Sequence, residues 1–336
     1  MIIGATAAFV LSLLSAWLLV SLAPRITRID KVGLRSLHIA PTPRGGGLAF
    51  AIAVPIGFLF AAQADGWSLP WRAPMVALAV AIPVAAIGFL DDVRECGALL
   101  RISFHASAAV AGCLLVTDQS LAFWVVSLAV VSVVWSINLA NFMDGADGFL
   151  ATEAITVFTF MGIASMASGV SARGAGLGML AWCAAAGIAG FLCWNLPKAR
   201  IFMGDVGSGW IGAMVGLMIF GFLLTDPWIA CGSVALAAPF AADASICLIR
   251  RAIRRERIWQ AHSMHGYQRF VRSQRGNHAV LLAAWTAVNV VIYLPLAIWV
   301  CMAQSITPFA IAAALGCLQA IALGSGLPQA RQESEP

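Results

Sequence analysis

Residues 73–90 read APMVALAVAIPVAAIGFL, 18 positions without a charge, and the adjacent carboxylates Asp91 and Asp92 follow at once. As a helix rising ~1.5 Å per residue, such a run nearly matches a hydrocarbon core about 30 Å thick. Comparable runs lie near residues 2–22, 47–62, 104–117, 121–137, 152–169, 175–194, 209–225, 228–249, 279–299 and 305–323, making eleven. They are continuously apolar rather than alternating, which argues against a lipid-facing barrel. The expectation is an all-α integral membrane protein, a polytopic bundle of eleven transmembrane helices, or ten if one run does not cross. Composition agrees: 61% of the 336 residues are hydrophobic and 10% charged, against about 25% charged in a soluble domain. Mean hydropathy is +0.90. These values exclude a soluble enzyme carrying one anchor, and the modest net charge of +5 gives no reason to expect nucleic acid as a partner. The eight cysteines form no C-x-x-C pair and all but Cys96 lie in apolar runs, so they read as small buried residues.

Eleven crossings divide the loops into two sets. One set holds 18 of the 20 basic residues, from Arg25 through the arginines between Arg250 and Arg275 to Arg331; the other holds Arg72 and Arg173. The positive-inside rule then places the N-terminus outside and the C-terminus in the cytoplasm. Ser21-Leu22-Ala23 resembles a cleavage site, but the basic residues follow the first run rather than precede it, so this run is expected to stay as a helix. Residues 1–323 form one polytopic domain with a basic cytoplasmic loop over about 250–278, and 324–336 form a short polar tail.

Carboxylates are costly near a bilayer, so their placement points to function. Twelve of the fifteen fall on the basic side, the exceptions being Asp65, Asp118 and Asp226. They concentrate in GFLDDVRE, NLANFMDGADGF and FMGDVGSGW. In the second segment Asn138, Asn141, Asp144 and Asp147 recur every three positions, each step slipping about 60° around a helix. Gly145 and Gly148 break that helix and suggest a cup of oxygens; a polar stripe between helices is the alternative. Asp205 lies among Gly204, Gly207 and Gly209, whose open backbone suits magnesium holding a phosphate between a carboxylate and the loop. In PTPRGGG, residues 41–47, a rigid turn would admit a phosphate to Arg44, although small residues for helix packing explain the same run. Asp91 and Asp92 repel each other unless a cation or donors offset them, with Arg94 the nearest counter-ion in sequence. His262, His265 and Arg269 would share one face of a helix. A zinc reading of H-x-x-H lacks a third nearby ligand, since Cys96 is remote. Asp243 either pairs with Arg250 or Arg251 at a helix end or faces a substrate.

Together, in this order, these segments resemble the polyprenyl-phosphate N-acetylhexosamine-1-phosphate transferases of the glycosyltransferase family 4 type. That family includes the phospho-MurNAc-pentapeptide transferase of peptidoglycan synthesis and the enzymes that start O-antigen. The resemblance runs from about residue 38 to 270. QAHSMHGYQR is similar to the loop of the O-antigen-initiating branch, and the triple-histidine form of the MurNAc-pentapeptide enzyme is absent. Glu95, His38 and Arg44 depart from residues common elsewhere in the family.

The resemblance implies a reaction in the bacterial inner membrane. Polyprenyl (undecaprenyl) phosphate attacks the sugar-bearing phosphorus of a UDP-N-acetyl sugar, with magnesium or manganese as cofactor, giving polyprenyl-diphospho-sugar and UMP at the cytoplasmic face. Carried over by motif, Asp205 and Asn141 would hold the metal. Asp144 and Asp147, with Asn138 and Asn141 beside them, would hold the nucleotide. His262, His265 and Arg269 would bind the diphosphate or the sugar, and Arg44, read from its own turn rather than carried over, would contact a phosphate. Asp91 or Asp92 would be catalytic, by orienting the lipid phosphate, removing its residual proton or acting as nucleophile. Direct attack is favoured, since a phosphate monoester with a second pKa near 6 needs little help from a base. A homodimer is compatible with this reading, and a secondary transporter is the alternative from another class. The clustering of carboxylates at one membrane face and the lack of paired broken helices weigh against the transporter.

Overall fold

The computed structural model describes residues 1–30, 37, 41–68, 71–94, 96–117, 121–167, 172–257 and 262–327. His38 and Glu95, like the tail beyond 327, lie outside the described residues. Among the described residues the secondary structure is helical apart from a two-residue antiparallel hairpin, β1 (Ile29–Asp30) and β2 (Thr42–Pro43), in register Ile29 to Pro43.

The helices are α1 (Ile2–Ile26), α2 (Leu48–Ala64), α3 (Arg72–Val93), α4 (Ala98–Val116), α5 (Phe123–Met143), α6 (Phe149–Ala167), α7 (Ala172–Asn195) and α8 (Gly204–Leu223). Then follow α9 (Pro227–Leu236), α10 (Ala238–Ile253), the short α11 (Gly266–Ser273), α12 (His278–Val288), α13 (Leu294–Ala303) and α14 (Ile306–Ala322). Among the described residues, eight helices are long and apolar enough to cross a membrane, α12 and α13 counting as one, and nine if the bent pair α9–α10 is a single span. The runs expected at 47–62 and 305–323 fold as α2 and α14, 17 residues each and shorter than those eight. The chain is thus a multi-pass membrane protein.

Three departures from the expected runs have local causes. The run at 228–249 bends by 63° between α9 and α10, where Pro239 in the first turn of α10 has no N–H to continue the ladder. The run at 121–137 continues to Met143, because Asn138 satisfies itself by donating from Nδ2 to the Val134 carbonyl at 2.7 Å. The run at 279–299 crosses through a π-helical segment, Asn289–Tyr293, whose Asn289 turns inward and donates from Nδ2 to Glu153 of α6.

Helix α8 is the central post: 83% of its apolar window is buried, against 17% for α5 at the periphery. Its glycines allow this. A Cβ on Gly212 would lie 2.5 Å from the Ile137 Cα of α5, and one on Gly47 would lie 2.2 Å from the Gly207 Cα. The glycine run 45–47 is clamped there, with Gly46 and Gly47 N–H donating to the Phe202 and Met203 carbonyls at 2.9 Å each. The packing explanation of PTPRGGG therefore holds for its glycines. Gly47→Ala is expected to cost about 1–3 kcal/mol by overpacking, read as a lower thermal midpoint in detergent. An unchanged midpoint would mean that the two backbones part freely.

Candidate active site

Helices α1, α3, α5 and α7 end, and α2, α4, α6, α8 and α12 begin, around one cavity of about 350 Å³. Asn141, Asp144, Asp147, Asp205 and Arg44 of the expected residues line it, joined by Asp30, Asn195, Gln268 and His278.

The cup expected in NLANFMDGADGF forms because α5 stops at Met143 and α6 starts at Phe149, leaving Asp144 to Gly148 as a turn. Asn141 on the last turn of α5 faces the cavity, whereas Asn138, one turn earlier, is spent on its own helix. Asp147 Oδ2 accepts from Ala199 N–H at 3.2 Å. Its own N–H donates to His278 Nδ1 at 3.2 Å, and His278 Nε2 lies 3.2 Å from the Leu37 carbonyl. Asn195 bridges the same turn, accepting from Gly148 N–H at 2.6 Å and donating to the Ile201 carbonyl at 2.9 Å.

The aspartate pair is divided between two tasks. Asp92 is 1% exposed and caps α8, its Oδ1 and Oδ2 accepting from Asp205 and Val206 N–H at 3.1 Å each. Gly204 makes room for this cap, with φ +73° and an added Cβ only 2.4 Å from Asp92 Oδ2. Asp91 accepts from Cys96 N–H at 2.7 Å and from Arg101 at 3.0 Å. The same Arg101 nitrogen reaches Asp205 Oδ2 at 2.5 Å. Arg101, rather than Arg94, is thus the cation that offsets the carboxylates.

Charge in the cavity is unevenly balanced. Burial first, then the fields of Asp205 and Asp92, push the Asp144 carboxyl well above the usual carboxylate range. Burial works against the Arg44 guanidinium, but its 2.8 Å bond to Asp30 and the fields of Asp205 and Asp92 hold it above its ordinary value. The result is a small, acidic, oxygen-rich chamber with one arginine in its wall.

Six expected residues do not line this chamber: Asn138, Asp91 and Asp92, whose partners are given above, and His262, His265 and Arg269. His262 and His265 fall before α11 rather than on it, because His265 is the residue at which that helix starts. The caps responsible are buried: Asp243 accepts from Gly266 and Tyr267 N–H at 2.7 and 2.9 Å. This replaces both the arginine pairing and the substrate contact considered for Asp243. Arg269 points the other way, donating to the Leu327 carbonyl at 3.2 Å. Arg250 likewise donates to the Ser325 carbonyl at 2.7 Å, so residues 324–327 pack onto the basic loop. Gln268, on the inner side of α11, reaches the cavity instead. Its neighbours in AHSMHGYQR drew attention because they are histidines. His278 could have been noticed as a lone polar residue opening an apolar run on the same face.

The profile of glycosyl transferase family 4 matches residues 74–222, the stretch from α3 to α8 that builds most of the chamber. The decaprenyl-phosphate N-acetylglucosaminephosphotransferase of Mycolicibacterium smegmatis is 27% identical, over 87% of this chain and 80% of its own length. A probable undecaprenyl-phosphate N-acetylglucosaminyl 1-phosphate transferase of Bacillus subtilis is 27% identical, over 79% and 76%. A phospho-N-acetylmuramoyl-pentapeptide-transferase of a Synechococcus strain is 30% identical, over 63% of this chain and 68% of its own. With the profile lying on the helices that carry the carboxylates, and relatives aligned over most of their length, this chain belongs to glycosyl transferase family 4.

Proposed function

We propose that this protein moves an N-acetylhexosamine-1-phosphate from a UDP-sugar to polyprenyl phosphate. An oxygen of the lipid phosphate attacks the sugar-bearing phosphorus, the bond from that phosphorus to the oxygen bridging it to the nucleotide phosphate breaks, and UMP leaves. The observation that carries this reading is the chamber itself, with Asp144, Asp147, Asp205, Asn141 and Arg44 converging where the helices end. A soluble dianionic nucleotide and an anionic lipid headgroup meet there at one membrane face.

The donor set suits magnesium, which prefers oxygen ligands and is shared between one or two carboxylates and substrate phosphates. Asp205 and Asn141 would hold it, with manganese as a substitute, and when bound it neutralises charge on the transferring phosphoryl group. Arg44 would bind a phosphate from the opposite wall. Arg101 orients the Asp205 carboxylate, and Asp91, held by the same arginine, would orient the attacking headgroup. Asp147, fixed by Ala199 and His278, would shape the nucleotide side with Gln268.

The wider reading keeps eleven crossings, N-terminus outside and chamber on the cytoplasmic side of a bacterial inner membrane. It rests on 18 of 20 basic residues falling on that side. UDP-N-acetylglucosamine is the first donor to test, as two relatives' names specify N-acetylglucosamine. The absence of the triple-histidine loop favours an O-antigen or related envelope polysaccharide over peptidoglycan. The assay is UMP release by detergent-purified protein with undecaprenyl phosphate, magnesium and a panel of UDP-N-acetyl sugars, including UDP-MurNAc-pentapeptide. Lipid-dependent UMP from one simple amino sugar is expected. Release from the pentapeptide donor alone would move the protein to peptidoglycan synthesis, and none from any donor in folded protein would end the transferase reading.

A further inference from the structure

Among the described residues, one cluster of strong ligands lies outside the chamber. Cys247 of α10 and His262 and His265, on the segment leading into α11, bring one sulfur and two imidazole nitrogens within 4.8 Å of one another. Cys247 is fully buried, His265 is 2% exposed and His262 is half-buried. We propose that these three side chains form a zinc site that clamps the start of α11 to α10.

The chemistry differs in kind from that of the chamber. A thiolate with two imidazoles is a set that zinc prefers and that magnesium does not. Tetrahedral zinc, at about 2.3 Å from sulfur and 2.0–2.1 Å from nitrogen, spaces its donors about 3.3–3.6 Å apart. The cluster therefore needs to contract by about 1 Å, and His262 is the least buried of its three members. Contraction there would replace the contact from Met264 N–H to His262 Nδ1 at 3.3 Å.

His265 supplies an independent sign of a missing ligand. Its side chain faces the Gln268 N–H in a capping box at the start of α11, yet its buried Nδ1 makes no well-formed hydrogen bond and lies 3.8 Å from Asp243 Oδ1, beyond bonding distance. A metal at Nδ1 resolves the deficit as the structure stands, and one at Nε2 does so once Asp243 closes from 3.8 Å. Bound at Nδ1, it satisfies the orphan directly. Bound at Nε2, it leaves the hydrogen on Nδ1 facing Asp243, the carboxylate–histidine arrangement that commonly supports zinc. Asp243 already caps α11 through Gly266 and Tyr267, so metal and cap would hold the same turn. Gln268, one turn further on, faces the chamber. Three protein ligands leave a fourth position for water.

The test is metal content of tag-free, full-length protein purified in detergent without chelator, then stripped and titrated with zinc or cobalt(II). About one zinc per chain is expected, with a thiolate-to-cobalt charge-transfer band on substitution. Cys247→Ser and His262→Ala, both at positions that tolerate the change in volume, should each weaken zinc binding at least tenfold while remaining monodisperse, and Cys247→Ser should lack the band. Asp205→Asn should keep its zinc, so failure here is separable from failure of the transferase reading. Folded wild-type protein that binds no zinc and gives no cobalt–thiolate band overturns the proposal. So does zinc retained undiminished in both ligand variants, or zinc lost in Asp205→Asn.

Discussion

Asp205→Asn is expected to lower UMP release by at least about 10³-fold, the scale of removing a principal electrostatic group from a phosphoryl-transfer site. Asparagine keeps the size of the side chain and removes its charge. In the wild type that charge is held by Arg101 at 2.5 Å, at the first turn of the most buried helix, beside Asp144 and Asn141 in the chamber wall. Loss of the anion changes the field at the reacting phosphates as well as cation affinity, so raising magnesium should not restore turnover. The helix cap does not use the Asp205 side chain, so the thermal midpoint should stay within a few degrees. A variant retaining more than about a tenth of wild-type activity would remove Asp205 from the centre of the mechanism.

Asp92→Asn should act by a different route. Asp92 accepts two backbone N–H groups at the start of α8, and charged hydrogen bonds of this kind contribute about 1.5–3 kcal/mol each. Asparagine offers one carbonyl oxygen and turns an NH₂ toward the second donor, leaving a buried N–H without a partner. A lower midpoint is expected together with at least a tenfold loss of kcat, because Asp205 is the first residue past the cap. The pH profile of kcat/KM should keep its shape, since the side chain positions α8 and takes no proton from the lipid. A variant with wild-type stability and an altered acid limb would instead make Asp92 a base. The aspartate pair thus resolves into a buried positioning residue and a neighbour, Asp91, tied to the site through Arg101.

The same contrast recurs in the last loop. The spacing of His262, His265 and Arg269 is helical, yet the helix begins only at Gly266 because Asp243, more than twenty residues earlier, caps it there. A period in the sequence describes a helix once formed and carries no information about a cap supplied from another element. Arg101 is another case. As one basic residue among the 18 on its side it signals topology, and only the approach of α4 to α8 makes it the partner of Asp205.

Helical class, multi-pass membrane character and the gathering of carboxylates at one face are legible from the sequence alone. Each depends on local quantities: run length against bilayer thickness, and the cost of charge in hydrocarbon. The tertiary structure decided which carboxylate became a cap, which faced the chamber, and that Gln268 and His278 reached it where His262 and His265 did not. Those outcomes depend on contacts between residues far apart in the chain, such as Asp92 with Asp205 and Tyr267 with the Phe142 carbonyl. In a closely packed interior, each buried donor or acceptor takes the partner that the neighbouring helices bring within reach.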